Sequence, residues 1–99
     1  MARIELAPEV AEDIERIYTH LAQYEVANVA ERIQEIIQAI AALEHNPLIG
    51  RPAEGGLREL VVGRNSRGYL ALYRYFDEID TVFVLALRSQ REAGYVRDT

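Results

Sequence analysis

The stretch GYLALYRYFDEIDTVFVLALR, residues 68–88, decides the fold, because it contains two apolar segments joined by an acidic turn. Successive side chains of a strand point to opposite faces of a sheet, so a half-buried hairpin alternates apolar and polar residues. This hairpin is instead apolar on both faces. In the first strand the pattern places Leu70, Leu72 and Phe76 on one face and Tyr69, Ala71, Tyr73 and Tyr75 on the other. In the second strand it places Phe83, Leu85 and Leu87 opposite Val82, Val84 and Ala86.

Two helices are predicted before the hairpin, after a short alternating strand at residues 3–6. Pro8 suits the first position of a helix, where its missing N–H would be unpaired in any case. Apolar residues then recur at helical spacing in two stripes, Val10, Ile14, Ile17, Tyr18 and Leu21, then Val26, Val29, Ala30, Ile33, Ile36, Ile37, Ile40 and Leu43. The break near Tyr24 is only a few residues long, so the helices form an antiparallel hairpin, which ends before Pro47.

Residues 47–56, PLIGRPAEGG, are predicted to be a loop because they hold two prolines and three glycines. Strands follow at residues 57–62, 69–76 and 81–88, separated by turns. The order of elements is therefore β-α-α-β-β-β. We expect residues 1–99 to form one α+β domain, with the helical hairpin packed on one face of a small, twisted, mostly antiparallel sheet.

The second face of this sheet has no cover in the predicted fold, since one helical hairpin covers one face. A large exposed apolar patch on a soluble protein is usually a binding site. Two alternatives remain open: residues 89–99 fold back over the face, or a homodimer buries it. We expect Tyr69, Tyr73 and Tyr75 to pack beneath the helices rather than to stack on nucleic-acid bases.

Composition narrows the classes of function. The chain has 99 residues, no Cys and two His, which argues against disulfides, a thiolate nucleophile and a metal site, and no cofactor is implied. No apolar run reaches the ~20 residues that span a bilayer, and the N-terminus does not resemble a secretory signal, so we expect a cytoplasmic protein. The net charge is −5, yet residues 51–74 carry five Arg against two Glu. Arg51, Arg58, Arg64 and Arg67 are candidates for an electropositive surface, or are simply solvated charges.

Four segments resemble a known family in their order and spacing: PLIGRP (47–52), GLRELVVG (56–63), GYLALYRY (68–75) and VLALRSQREAGY (84–95). Together they look like the RelE/ParE superfamily, the toxins of bacterial type II toxin–antitoxin modules, whose members include plasmid stabilisation proteins. The resemblance implies growth arrest by the toxin and neutralisation by a cognate antitoxin, a small DNA-binding protein with a disordered C-terminal tail. It places that tail on the second apolar face, at Leu70, Leu72, Arg74 and Phe76.

The resemblance leaves two targets to separate. RelE-like members cleave mRNA on the ribosome, and for that activity the matching residues here are Arg74, Arg91 and Tyr95. However, Leu70 stands where those enzymes have a cation, and Ser89 stands where they often have His. We therefore predict the ParE-like activity, non-enzymatic inhibition of DNA gyrase. The predicted target contacts are Arg51, Arg58, Arg64, Arg67, Arg88, Arg91 and Tyr95. The alternatives are an mRNA endoribonuclease and an inert module that only binds antitoxin.

Overall fold

The computed structural model describes residues 1–24, 27–63, 68–92 and 94–95. These residues form two helices, α1 (Pro8–Gln23) and α2 (Val29–Ala41), and a five-stranded sheet. The strands are β1 (Arg3–Leu6), β2 (Arg51–Pro52), β3 (Arg58–Val62), β4 (Tyr69–Phe76) and β5 (Thr81–Ser89). Their spatial order is β1-β5-β4-β3-β2, with β1 parallel to β5 and every other pair antiparallel. The predicted α+β fold is confirmed.

The core lies between the helices and one face of the sheet. Ile17 and Leu21 of α1 and Ile36 and Ile40 of α2 form one buried cluster with the sheet. The sheet contributes Leu60, Val62, Tyr69, Ala71, Tyr73, Val82, Val84 and Leu87. Tyr69 and Tyr73 are buried there and Tyr75 packs against the cluster, as expected. Tyr18 and Ile37 belong to the predicted stripes but are about half exposed, so the buried stripes are narrower than predicted.

The helix ends follow local chemistry. Ala7 is extended and makes no side-chain cap, and Pro8 takes the first helical positions, where a missing N–H costs nothing. Before α2, Asn28 adopts the left-handed conformation with φ 63°, which Asn tolerates better than most residues. After Ala41 the chain tightens into a 3-10 turn at Ala42–Glu44. That turn brings the carbonyl of Glu44 to the N–H of Ala2, at 2.7 Å.

The predicted loop at residues 47–56 contains one more strand than the sequence indicated. Strand β2 has only two residues and pairs with β3 through Arg51 opposite Glu59 and Pro52 opposite Arg58. Because Pro52 lacks an N–H, it is tolerated only at a sheet edge, where β2 lies. The glycines and prolines correctly indicated irregular backbone here, but the sequence pattern did not indicate the short pairing of β2 with β3.

A β-bulge in β5 corrects the predicted faces of the hairpin. Leu72 pairs with Ala86, whereas Tyr73 pairs with Val84, so the register shifts by one residue at Leu85. An inserted residue reverses the alternation beyond it. Leu87 therefore joins Val82 and Val84 in the core, and Ala86 turns to the opposite face beside Leu72. The prediction that Leu87 shares a face with Phe83 was wrong for this reason.

Candidate functional site: the open face of the sheet

We call the side of the sheet turned away from the helices the open face. The strand register assigns its residues. They are Arg3 and Glu5 of β1, Arg51 of β2, Glu59 and Val61 of β3, Leu70, Leu72, Arg74 and Phe76 of β4, and Thr81, Phe83, Ala86 and Arg88 of β5. The four residues predicted to bind an antitoxin thus lie on one face of one strand, directed away from the core.

One half of the open face is covered by the chain's own tail. The Tyr95 hydroxyl donates to Glu59 Oε2 at 2.7 Å, and the Arg88 guanidinium lies 5.1 Å from the centre of the Tyr95 ring. Glu59 is the β3 partner of Leu72 and Arg88 is the β5 partner of Leu70, so the Tyr95 side chain crosses β4 between β3 and β5. Leu70 is accordingly only 2% exposed although it does not face the core.

The turn that precedes Tyr95 is held by backbone contacts. Arg88 Nη1 donates to the carbonyl of Glu92 at 2.8 Å and to that of Ser89 at 3.3 Å. The Glu92 carboxylate in turn accepts the N–H of Ser89 at 2.6 Å. Arg88 Nε is buried and has no hydrogen-bond partner among the described residues. The Arg88 side chain therefore serves to fix the turn and to support Tyr95.

The other half of the open face is uncovered. Arg74 is exposed, and its guanidinium lies 4.8 Å from the centre of the Phe76 ring. Phe76 meets Phe83 edge to face, with ring centres 5.5 Å apart, and both rings are half-buried. Val61 of β3, the partner of Leu70, also remains 45% exposed at the other end of the face. We call Leu72, Arg74, Phe76 and Phe83 the uncovered patch. It presents apolar surface together with one cation.

The two readings of the second face are therefore each correct for one half. The expectation of an uncovered apolar face holds at the Phe76 end of β4. The alternative, that the tail folds back, holds at the Leu70 end, where Tyr95 lies. Residue 93 and residues 96–99 of the predicted tail lie outside the described residues.

Comparison with known proteins identifies the family. The sequence model of one protein family, the ParE toxin of type II toxin–antitoxin systems, parDE, matches residues 4–94. The chain belongs to the ParE toxin family. Comparison with curated protein sequences finds no match.

Solved structures share the fold of this ParE-family toxin. A chain of the chromosomal ParDE system from P. aeruginosa is similar with a TM-score of 0.73 and 22% identity, over 90% of this chain and 96% of that one. A chain of the RelBE2 toxin–antitoxin complex from Mycobacterium tuberculosis has a TM-score of 0.63 and 18% identity, over 89% of this chain and 96% of that one. A chain of the archaeal RelE–RelB complex from Pyrococcus horikoshii has a TM-score of 0.59 and 13% identity, over 93% of this chain and 98% of that one. At these identities the likeness concerns the fold.

Among the residues that the structure describes, the arginines predicted to contact a target of the ParE-family chain have different surroundings and roles. Arg51 pairs with Glu59 at 3.3 Å on the open face. Arg58 belongs to the helix-facing side of β3 and donates to the carbonyls of Leu48 and Gly50, at 3.2 and 2.8 Å, so it holds the preceding loop. Arg91 borders a groove beside α1. Arg64 and Arg67 lie outside the described residues.

The three residues assigned to RNA cleavage are also dispersed. Arg74 belongs to the uncovered patch, Tyr95 covers the other half of the open face, and the exposed Arg91 borders the groove beside α1. Burial, together with the hydrogen bond to Glu59 and the charge of that carboxylate, raises the pKa of Tyr95 well above its ordinary value. A tyrosine perturbed in this direction keeps its proton and is a poorer base. Ser89, which stands where RelE-like enzymes often have His, uses its Oγ to accept the N–H of Arg91 at 3.2 Å.

A buried ion network beside the tail of the ParE-family chain was missed at the sequence level. Asp13 is 2% exposed, and its Oδ2 accepts the N–H of Leu87 at 2.9 Å. Its Oδ1 accepts from Arg16 Nη1 at 2.8 Å, and Arg16 Nη2 donates to the Leu87 carbonyl at 3.2 Å. Arg16 Nε also binds Glu92 Oε1 at 2.9 Å. Burial acts to lower the pKa of Arg16, but Glu92 and Asp13 outweigh it and raise the pKa.

The network replaces a missing strand. Strand β1 ends at Leu6, opposite Val84, so no strand formed by the described residues lies beside Leu87 at the outer edge of β5. Unpaired backbone groups at such a site cost free energy, and Asp13 and Arg16 satisfy both groups of Leu87 from α1. The available sequence signal was the position of Asp13 within the apolar stripe of α1, between Val10 and Ile17.

Within the described ranges, no helix is long and apolar enough to cross a membrane. The same residues contain no cluster of three His, Asp or Glu side chains that could hold a metal ion.

Proposed function

We propose that this ParE-family toxin arrests growth by binding DNA gyrase in the cytoplasm, without catalysing a reaction, and that a cognate antitoxin neutralises it. The observation that carries the choice against RNA cleavage is the position of Glu59. Its carboxylate lies on the open face, 17% exposed, between Tyr95 and Arg51. A carboxylate at this point repels the phosphates of an RNA strand and offsets the cations that would attract them.

The leucine that occupies the position of a catalytic cation adds to this argument. Stabilising a transition state that gains negative charge requires hydrogen-bond donors or cations placed around it. Leu70 offers neither, and it is buried beneath the tail. The nearby Arg88 is already engaged with two backbone carbonyls and the Tyr95 ring. The covered half of the open face therefore favours a structural role over a catalytic one.

The uncovered patch supports the proposal of an antitoxin seat. Leu72, Phe76 and Phe83 present half-buried apolar surface, and Arg74 offers a cation beside them. An apolar surface of this kind, next to one charge, suits a partner segment that is disordered alone and orders on binding. Solved structures of the same fold come from toxin–antitoxin systems, which agrees with a partner of this kind.

The direct experiment measures supercoiling of relaxed plasmid by purified gyrase, with and without the purified toxin. We expect micromolar toxin to reduce supercoiling, and we expect equimolar antitoxin to restore it. Unchanged supercoiling with a toxin preparation that binds its antitoxin would refute the gyrase target while leaving the antitoxin partner intact.

One observation favours the alternative, an mRNA endoribonuclease. Arg74 is exposed beside two aromatic rings, an arrangement that can hold a phosphate and stack a base. Primer extension on translated mRNA decides this case. Cuts in the mRNA that vanish in Arg74→Ala would establish cleavage and exclude the proposal. Induction of the toxin without antitoxin tests the third possibility, because an inert antitoxin-binding module leaves growth unaffected.

A further inference from the structure

The loop that leads from α2 to β2 presents two large apolar side chains to solvent. Leu48 is 58% exposed and Ile49 is 60% exposed, and the two residues are adjacent in the chain. We call these two residues the loop tip. They lie in a turn that is closed by the Ile49 N–H, which donates to the Asn46 carbonyl at 3.1 Å. Single exposed apolar residues are common on soluble proteins, whereas apolar residues grouped at one point of the surface mark contact sites.

The backbone of the loop tip is held in place from strands β3 and β4. Arg58 Nη1 donates to the carbonyls of Leu48 and Gly50, at 3.2 and 2.8 Å. The Gly50 N–H donates to the Tyr73 hydroxyl at 2.8 Å, and both of these residues are buried. The chain is therefore fixed at the tip itself and directly after it, while the two apolar side chains of the tip stay exposed.

A fixed apolar tip is suited to binding because little conformational freedom remains to be lost. Ordering a mobile loop at an interface opposes association, and a loop that is already ordered avoids this cost. Loops that contact partners are typically positioned in this way by a rigid scaffold. Here the scaffold is the side chain of Arg58 together with the buried Tyr73 hydroxyl.

The shape and composition of the loop tip favour one class of partner. A turn at the edge of the molecule is convex, so it fits a concave apolar pocket, which a folded protein has and a disordered segment lacks. Both residues of the tip are aliphatic, so they offer no aromatic ring on which a nucleic-acid base could stack. Residues 45–53 contain no Asp or Glu, and Arg51, 59% exposed, follows the tip. A pocket bordered by carboxylates therefore complements this loop.

We propose that the loop tip is a contact of this toxin with DNA gyrase, seated in an apolar pocket of the folded enzyme that is bordered by carboxylates; this inference rests on the proposed function. Leu48 and Ile49 fill the pocket, and Arg51 pairs with a carboxylate at its rim. Arg58 is a positioning residue, which holds the tip from the helix-facing side of β3. The uncovered patch lies on the opposite face of the sheet, so gyrase and the antitoxin contact different residues.

The test measures two properties of each purified full-length toxin variant. The first is inhibition of supercoiling by purified gyrase, and the second is affinity for the cognate antitoxin, by calorimetry. Leu48→Asp and Ile49→Asp place an unpaired charge in the pocket, which is strongly unfavourable. We expect each to raise the toxin concentration for half-inhibition by about tenfold or more and to change antitoxin affinity by less than about threefold.

Leu6→Asp is the matched control for the loop-tip variants. Leu6 is 54% exposed and lies on β1, at the opposite edge of the sheet from β2. The same substitution there should change the toxin concentration for half-inhibition by less than about threefold. Circular dichroism establishes that each variant is folded before the assays.

The possible results distinguish the loop tip from the proposed function. If the wild-type toxin leaves supercoiling unchanged, the gyrase target and the loop-tip contact both fail. If the wild type inhibits gyrase and both tip variants inhibit as Leu6→Asp does, the loop-tip contact is overturned and the gyrase target stands. An equal loss of antitoxin affinity in the tip variants would assign the tip to the antitoxin and overturn the inference. A wild-type dimer that the tip variants dissociate, with inhibition unchanged, would assign it to a second copy and overturn the inference as well.

Discussion

The Tyr95 hydroxyl donates a hydrogen bond to Glu59 across 36 residues of sequence, at 2.7 Å. This contact fastens the end of the described chain to the third strand and closes one half of the open face over Leu70. The same face is left uncovered at Leu72, Arg74, Phe76 and Phe83. The tail thus determines how much apolar surface the toxin offers to a partner.

The Tyr95–Glu59 contact predicts a stability loss at alkaline pH. The pKa of Tyr95 is raised by burial and by Glu59, so the folded state holds this proton more tightly than the unfolded state. The stabilisation is complete below the ordinary tyrosine pKa of about 10 and is lost as pH rises above it. Urea unfolding across this range should show a steeper decline for the wild type than for Tyr95→Phe. Equal slopes would indicate that Tyr95 is solvated like an ordinary tyrosine.

Gly50 is predicted to be intolerant of any side chain. A Cβ at this position would lie 2.6 Å from Tyr73 Cε1 and 2.9 Å from the Glu59 carbonyl oxygen. The Gly50 N–H also donates to the buried Tyr73 hydroxyl at 2.8 Å, so the loop cannot simply move away. Gly50→Ala should lower the free energy of unfolding by about 2–3 kcal/mol, as overpacking typically does.

Gly94→Ala is the matched control for this substitution, because no atom of the described residues lies within 4 Å of a Cβ placed there. It should change the free energy of unfolding by less than about 0.5 kcal/mol. Similar urea midpoints for the two variants would contradict the tight packing of Gly50 against Tyr73.

Asp13 is predicted to be the most sensitive polar residue of α1. Asp13→Ala leaves the Leu87 N–H without its carboxylate and removes one of the partners of Arg16. Breaking a buried ion pair in this way costs about 3 kcal/mol. Glu12→Ala, at an exposed neighbouring position, is the control and should be close to neutral. Chemical denaturation of both variants measures the difference, and a near-neutral Asp13→Ala would show that α1 does not complete the edge of β5.

Most of the fold could be predicted from the sequence because it rests on periodicity. Pro8, the two apolar stripes and the hairpin at residues 68–88 correctly located α1, α2, β4 and β5. The bulge at Leu85 could not be predicted, because both faces of β5 are apolar and the pattern is the same in either register. Strand β2 was missed because one of its two residues is Pro52 and the segment around it is rich in glycine.

The candidate site was only partly accessible at the sequence level. Alternation along β4 correctly placed Leu70, Leu72, Arg74 and Phe76 on one face. Whether that face is covered depends on contacts between residues far apart in the chain, such as Tyr95 with Glu59 and Arg16 with Glu92. Local sequence patterns do not indicate which distant residues contact each other. The roles assigned to the individual arginines and to Tyr95 stay predictions.

The most direct test of the central claim, that the uncovered patch is a partner's seat, is the affinity of the antitoxin for Leu72→Glu and Phe76→Glu. Ile37→Glu, at a half-exposed position on α2, is the control. An unpaired charge placed in an apolar interface should weaken binding by about thirtyfold or more, while the control should bind as the wild type does. Wild-type affinity in both patch variants, measured on folded protein, would show that the antitoxin binds elsewhere and would contradict the account.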